Sequence, residues 1–173
     1  DRRNIEQLLL TEKVEERGIV GDIVALAQQQ GIPIRRVNKR IIDDLANGAN
    51  HQNTLLRVGP YPYLDLDSVL DVARERDEKP FILLLDLLKD PQNVGSLMRI
   101  ADAVGVHGVI MQERRGVSVT PAVVSASSGA VEYLHIVQVT NLVQTMKELK
   151  KHDIWLVGLD IGPDIAPLDR PDL

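Results

Sequence analysis

Residues 81–105, FILLLDLLKDPQNVGSLMRIADAVG, hold the side chains of this chain best placed to do chemistry. Arg99 follows Asn93 by six residues, with Gly95 between them and the turn Lys89-Asp90-Pro91-Gln92-Asn93 ahead. A guanidinium stays protonated and presents a planar fork of donors, so it suits an anion such as a phosphate. Asn93 either caps the helix or sits in its first turn, and either role is compatible with positioning a substrate. Pro91 presets the turn, and Gly95 lets a backbone or a ligand come close. Asp86 and Asp90 could pair as carboxylates or metal ligands. Nothing else supplies ligands at a suitable spacing, so no metal is expected. Ser125, Ser127, Ser128 and Gly129 form a turn rich in small residues. A serine nucleophile needs a base beside it, and the nearby His135 is expected inside a strand, which argues against hydrolase chemistry.

An outward Arg99 requires a particular scaffold. The apolar run Phe81–Leu85 reads as a central parallel strand buried on both faces. Polar groups just past such a strand lie where open α/β sheets bind ligands. The following helix, expected over 93–103, has the stripe Leu97, Ile100, Ala101 and Val104 toward the sheet. Arg99 then points about 200° from Leu97, away from the core. Strands are expected at 81–85, 108–111, 134–138 and 153–159, with helices at 93–103, 120–127 and 141–151. Alternation of this kind indicates an α/β fold with a parallel sheet. A Pro/Gly loop follows from Gly162. His107 and His152 precede strands and read as surface residues.

The front of the chain also alternates. A strand is expected over Ile5–Leu10. Val20, Ile23, Val24 and Ala27 give a helix ending near Gly31, and Ile32 to Val37 gives a short strand. Asn38 can cap a second helix whose core side is Ile41, Ile42 and Leu45, with Gly48 as its stop. Strand 54–58 follows the polar loop 49–53. Gly59-Pro60-Tyr61-Pro62-Tyr63 breaks the pattern and reads as a linker, followed by a helix using Leu66, Val69, Leu70 and Ala73. The domains are therefore expected at 1–58 and 79–173, joined by linker and helix 59–78.

Composition narrows the partners. Net charge is -5, against a nonspecific polyanion binder. Residues 1–57 hold nine Lys/Arg against eight Asp/Glu, and residues 58–173 hold eleven against seventeen. Contact with a polyanion would thus come from local clusters in the front half, such as Arg35-Arg36 with Lys39-Arg40. His51, beside Gln52 in the polar loop, either touches RNA or closes a turn. Aromatic residues are 3% of the chain, too few for a base-stacking platform, so RNA would be recognised by shape and backbone. With no cysteine, no apolar run long enough to span a membrane and no signal-like start, a cytoplasmic protein is expected.

The pattern D-x-x-x-D-P-x-N-x-G-x-x-x-R-x-A-x-A-x-G, from Asp86 to Gly105, resembles the first motif of the SpoU family of RNA ribose methyltransferases, in the SPOUT superfamily. Asn50-His51-Gln52 leading into a strand resembles the end of that family's N-terminal substrate-binding domain, with Asn53 where Gly is usual. Ser125 to Glu132 resembles its small-residue turn before the third strand, and Gly158-Leu159-Asp160 the end of its fourth.

The resemblance implies a small ribosomal-protein-like α/β domain for RNA followed by a parallel-sheet α/β domain. It implies S-adenosylmethionine as cofactor, a homodimer, and 2′-O-ribose methylation of structured RNA, most naturally ribosomal RNA. Asn93 and Arg99 match the catalytic pair. Because guanidinium is a poor base, Arg99 is expected to grip a phosphate and stabilise the developing alkoxide. Glu132 matches an acidic position that either orients substrate or pairs with an Arg. The family's later motifs, a Gly-Glu-Gly-type loop and a Ser-Leu-Asn-type segment that tie a C-terminal trefoil knot, are not found. The chain is therefore expected to be an incomplete SPOUT domain that does not bind the cofactor unaided. The competing reading is a noncatalytic RNA-binding module. A Rossmann enzyme would need G-x-G-x-x-G after the first strand, and the sequence there is Lys-Asp-Pro-Gln-Asn-Val-Gly.

Overall fold

A computed structural model of the chain describes residues 3–159. Two three-stranded sheets form two α/β bodies. The front sheet has order β2-β1-β3, from β1 (Ile5–Thr11), β2 (Ile34–Val37) and β3 (Thr54–Val58). β1 is parallel to β2 and antiparallel to β3. Strand alternation sends Leu8 and Leu10 to α1 (Ile19–Gln29), where Val24 and Ala27 meet them, and Leu9 with Val37 to α2 (Lys39–Ala46). Asn38 caps α2 as expected, its side chain accepting from the Arg40 amide. Only Ile42 of the expected α2 stripe is buried; Ile41 and Leu45 are exposed. α2 meets the sheet through Ile42, which packs with Leu9, Val37 and Leu55.

The second sheet is parallel, with order β4-β5-β6, from β4 (Ile82–Leu85), β5 (Gly108–Gln112) and β6 (Ile136–Val139). The central strand is β5, not β4. Val109, Ile110 and Met111 are fully enclosed, while Ile82 to Leu84 of β4 are only half-buried at the edge. Alternation along β5 builds a three-layer core. Val109 and Met111 meet α4 (Pro91–Ala103), α5 (Pro121–Ala126) and the 3-10 turn Ala130–Glu132. Ile110 meets α3 (Leu66–Glu75) and α6 (Leu142–Lys151) on the other face.

Three expectations change here. The helix expected between domains, α3, belongs to the second core through Val69 and Leu70. A Cβ on Gly108 would stand 2.4 Å from Val69, so only Gly lets α3 lie this close to β5. The residues before α3 are docked too: the Leu64 amide donates to Ile136 O at 2.8 Å, and the Tyr61 hydroxyl bonds Val131 O and Leu134 O at 2.8 and 3.0 Å. His107 is buried rather than at the surface. Its Nδ1 accepts from the Phe81 amide at 2.9 Å, which leaves Nε2 to donate to Glu78 at 2.9 Å. Residues 153–159 form no strand. Ile154 and Leu156 still pack on the second core while Trp155 and Val157 are exposed, so the side-chain alternation is right but no ladder partner is present among the described residues. Asp160 and the loop expected from Gly162 lie outside the described residues.

Candidate active site on helix α4

The turn after β4 starts α4 two residues earlier than expected. Asp90, not Asn93, is the N-cap, accepting from the Gln92 amide at 3.0 Å, and Pro91 fills the first helical position. Asn93 sits in the first turn, exposed. The earlier start also changes the buried row to Val94, Met98 and Ala101, an i, i+4, i+7 set. Ile100 and Val104, expected inward, are 56% and 55% exposed.

Gly95 fixes how α4 meets α5. A Cβ there would lie 2.4 Å from Ala126 Cβ and 2.8 Å from both Ala126 C and Ser127 N. The close approach that this glycine permits is thus to protein backbone. Ser127 is fully buried, its hydroxyl donating to Val124 O at 3.0 Å, and it is no nucleophile. Ser128 and Gly129 turn the chain with φ of 53° and 84°, leaving Ser128 exposed.

Arg99 is exposed and has no ion pair or hydrogen bond among the described residues. It lies one turn beyond Gly95, on the flank of α4 toward α5 and the 3-10 turn. Asn93 does not meet it: helix geometry sets them ~9 Å apart along the axis and ~120° apart around it. A ligand touching both would have to lie across the outer face of α4. Asp86, at the end of β4, is exposed as well. Among the described residues no cluster of three or more His, Asp or Glu side chains could hold a metal.

The front body sorts its expected RNA contacts. Arg36 uses its guanidinium internally, donating to Thr11 O, Glu12 O and Val14 O at 3.2–3.4 Å and pairing with Glu16. Lys39 pairs with Asp43 at 2.8 Å. His51 closes its turn: Nδ1 accepts from the Asn53 amide at 3.1 Å, and Nε2 lies 2.7 Å from Asp43 Oδ1. Gln52 and Asn53 take φ of 45° and 67°, so Asn53 does occupy a left-handed position that suits Gly or Asn. The hydrogen bond from Lys39, then that from His51, hold the Asp43 carboxyl below the usual carboxylate range. Arg35, Arg40 and Gln52 remain exposed without side-chain partners among the described residues.

Glu132 pairs with Arg3, a residue sequence reasoning missed. Arg3 Nε lies 3.1 Å from Glu132 Oε2, and the guanidinium carbon stands 4.7 Å from the Tyr61 ring centroid. No local signal could have found this contact, because its three members come from distant parts of the chain.

S-adenosylmethionine, which the resemblance implies, does not fit the hollow where a parallel sheet would hold a ligand. The hollow at the carboxyl ends of β4 and β5, lined by Leu85, Leu88, Val94 and Gln112, is about 10 Å³. Gln112 Oε1 is buried there without a partner, and such a space admits roughly one water.

Comparison with known proteins agrees with the two bodies. Residues 1–64 match the model for RNA 2′-O ribose methyltransferase substrate binding, and residues 80–170 match the SpoU rRNA Methylase family. YacO of Bacillus subtilis (strain 168), provisionally named a TrmH family tRNA/rRNA methyltransferase, is 41% identical over 158 residues, covering 91% of this chain and 63% of the relative. A similarly named protein of Staphylococcus aureus (strain MSSA476) is 40% identical over 156 residues, covering 90% and 62%. The SpoU methyltransferase AviRb of Streptomyces viridochromogenes, solved with AdoMet, superposes with TM-score 0.63 at 21% identity, covering 87% of this chain and 53% of that one. An AdoMet-bound rRNA methyltransferase of Sinorhizobium meliloti gives 0.62 at 22%, covering 86% and 51%. These two structures speak for the fold. The chain spans under two thirds of the length of the curated relatives and about half of the solved chains. With its second body matched across 80–170 and its front body matched across 1–64, the chain belongs to the SpoU rRNA methylase family.

Proposed function

We propose that this chain recognises RNA and contributes the substrate side of a 2′-O-ribose methyl transfer, with ribosomal RNA as substrate and S-adenosylmethionine as methyl donor. The carrying observation is Arg99: an exposed guanidinium without a partner among the described residues, one turn past the Gly95 contact with α5 and ~12 Å along α4 from the rim where that helix starts. A ribose hydroxyl is a weak nucleophile until its proton is lost and the alkoxide stabilised. Arg99 would grip the neighbouring phosphate and stabilise that charge as it forms. Asn93, on the other flank of the helix, would position a second part of the same nucleotide strand. The donor would be held by residues other than those described here, and a homodimer in the cytoplasm is the assembly this reading favours.

The described residues alone support a second, narrower reading. Their front body matches a substrate-binding model and the hollow beside β4 and β5 is too small for the donor, so the described residues alone would bind RNA without transferring methyl groups.

The longest form of the protein that the gene encodes tests the reading. Incubated with unmodified ribosomal and transfer RNA and tritiated S-adenosylmethionine, it should leave the label on ribosomal RNA in alkali-resistant dinucleotides, the mark of a methylated 2′ oxygen. Label found only on bases would overturn the ribose assignment, and label found only on transfer RNA would overturn the ribosomal one.

A further inference from the structure

A crevice of about 700 Å³ separates the two bodies. This lies within the ~300–1,000 Å³ typical of small-molecule sites. Ile5, Leu56 and Val58 of the front sheet form one wall, and Pro121 and Val124 of α5 form the other. Four polar side chains line it, Arg3, Ser125, Glu132 and Tyr133. Arg3 and Glu132 stand at its interior, and the Tyr133 side chain, 74% exposed, stands beside them.

Arg3 is the unusual member. Its side chain is 11% exposed. Nε approaches Glu132 but makes no hydrogen bond, and Nη2 is likewise buried without an acceptor. Buried donors of a charged group are costly to leave unmet, so something with acceptor oxygens or nitrogens belongs beside them. The Tyr61 ring beneath the guanidinium holds it in place but accepts no such bond. Glu132 adds an acceptor to the same spot, so the occupant must present a donor next to its acceptor. A nucleobase edge carries that combination, its flat apolar faces suit the aliphatic walls, and Tyr133 offers a ring for stacking.

We propose that this crevice holds one unstacked ribonucleotide of the substrate RNA. The inference rests on the RNA-binding reading above and adds a subsite to it. The nucleotide held here is not the one that reacts. On α5, Val123 and Ser127 face inward toward α4, whereas Pro121 and Ser125 face outward to the crevice. The crevice is thus separated from Arg99 by the thickness of a helix, ~10 Å. It reads a neighbouring nucleotide and so helps choose the strand presented to α4.

The test uses the 173-residue chain and a random-sequence RNA library carrying 4-thiouridine. Filter retention measures binding, and irradiation followed by peptide mass spectrometry locates the crosslinks. Tyr133→Ala removes the stacking ring, and Ser125→Trp fills the crevice; both positions are exposed, so melting temperatures serve as the folding control. The proposal expects crosslinks on 121–133 in the wild-type chain and an affinity loss of about 5-fold or more in each variant. If RNA is retained equally by all three proteins and crosslinks fall elsewhere, the crevice holds only water and the subsite is refuted while the RNA reading stands. If no RNA is retained by any of them, both are refuted.

Discussion

Arg99 projects from α4 with no partner among the described residues, while Arg36 gives its donors to three backbone carbonyls and Glu16. Both are arginines in suggestive sequence contexts, and only their surroundings separate a ligand-binding group from a loop brace. Spacing made Arg99 legible, since a residue outside the apolar row of a helix must face outward. It could not reveal that Arg36 is consumed by residues 11–16, because those contacts span 20 to 25 positions. His51 divides in the same way: a His in a polar loop was legible as a turn-closer, but its partner Asp43 was not. That pair has a pH signature. The Asp43 carboxyl is held low by Lys39 and His51, so its stabilising contribution is complete above the usual carboxylate range, ~3.9, and is lost as pH falls through its depressed value. Protection against amide exchange in 51–54, relative to the free peptide at the same pH, should fall as the pH is lowered through that window, and Asp43→Asn should make the turn open already at neutral pH. Equal protection in the two proteins at every pH would show that the carboxylate is not what closes the turn.

Helix α4 shows how a single glycine sets an element. The sequence pattern located α4 and its outward Arg99, yet placed the buried row about a quarter of a turn away from Val94, Met98 and Ala101. The reason is the start of the helix: Asp90 and Pro91 form its cap and first position, and Asn93 was a reasonable cap by type alone. β5 as the centre of the sheet was equally hidden, because β4 and β5 are both short apolar runs and strand order is a tertiary property. Gly95→Ala measures what the contact with α5 is worth. Helix propensity favours the alanine, but its methyl would strike Ala126 C and Ser127 N, which cannot turn aside. Urea unfolding should show a net loss of about 1–2 kcal/mol. An unchanged or higher midpoint would mean that α4 and α5 can separate freely, and that Arg99 is not rigidly placed.

At the scale of the molecule, the two bodies are joined by contacts that no local pattern announces. Tyr63 accepts from the Val119 amide at 2.8 Å, and Arg3 reaches Glu132 across the crevice. Two prolines and two tyrosines read as a linker; the prolines do break the pattern, but the tyrosine hydroxyls bolt the segment onto the second body. These contacts tie the front body to the body that carries α4, as the proposed delivery of RNA to Arg99 would require. The measurement that addresses this most directly separates binding from transfer. In the longest encoded form of the protein, Arg99→Ala should retain RNA with an affinity within about 3-fold of wild type, because one phosphate contact is a small part of the whole interface. Methyl transfer to ribosomal RNA should fall by about 100-fold or more, the usual loss when one donor to a developing oxyanion is removed. Transfer at near wild-type rate by that variant would contradict the account at its centre.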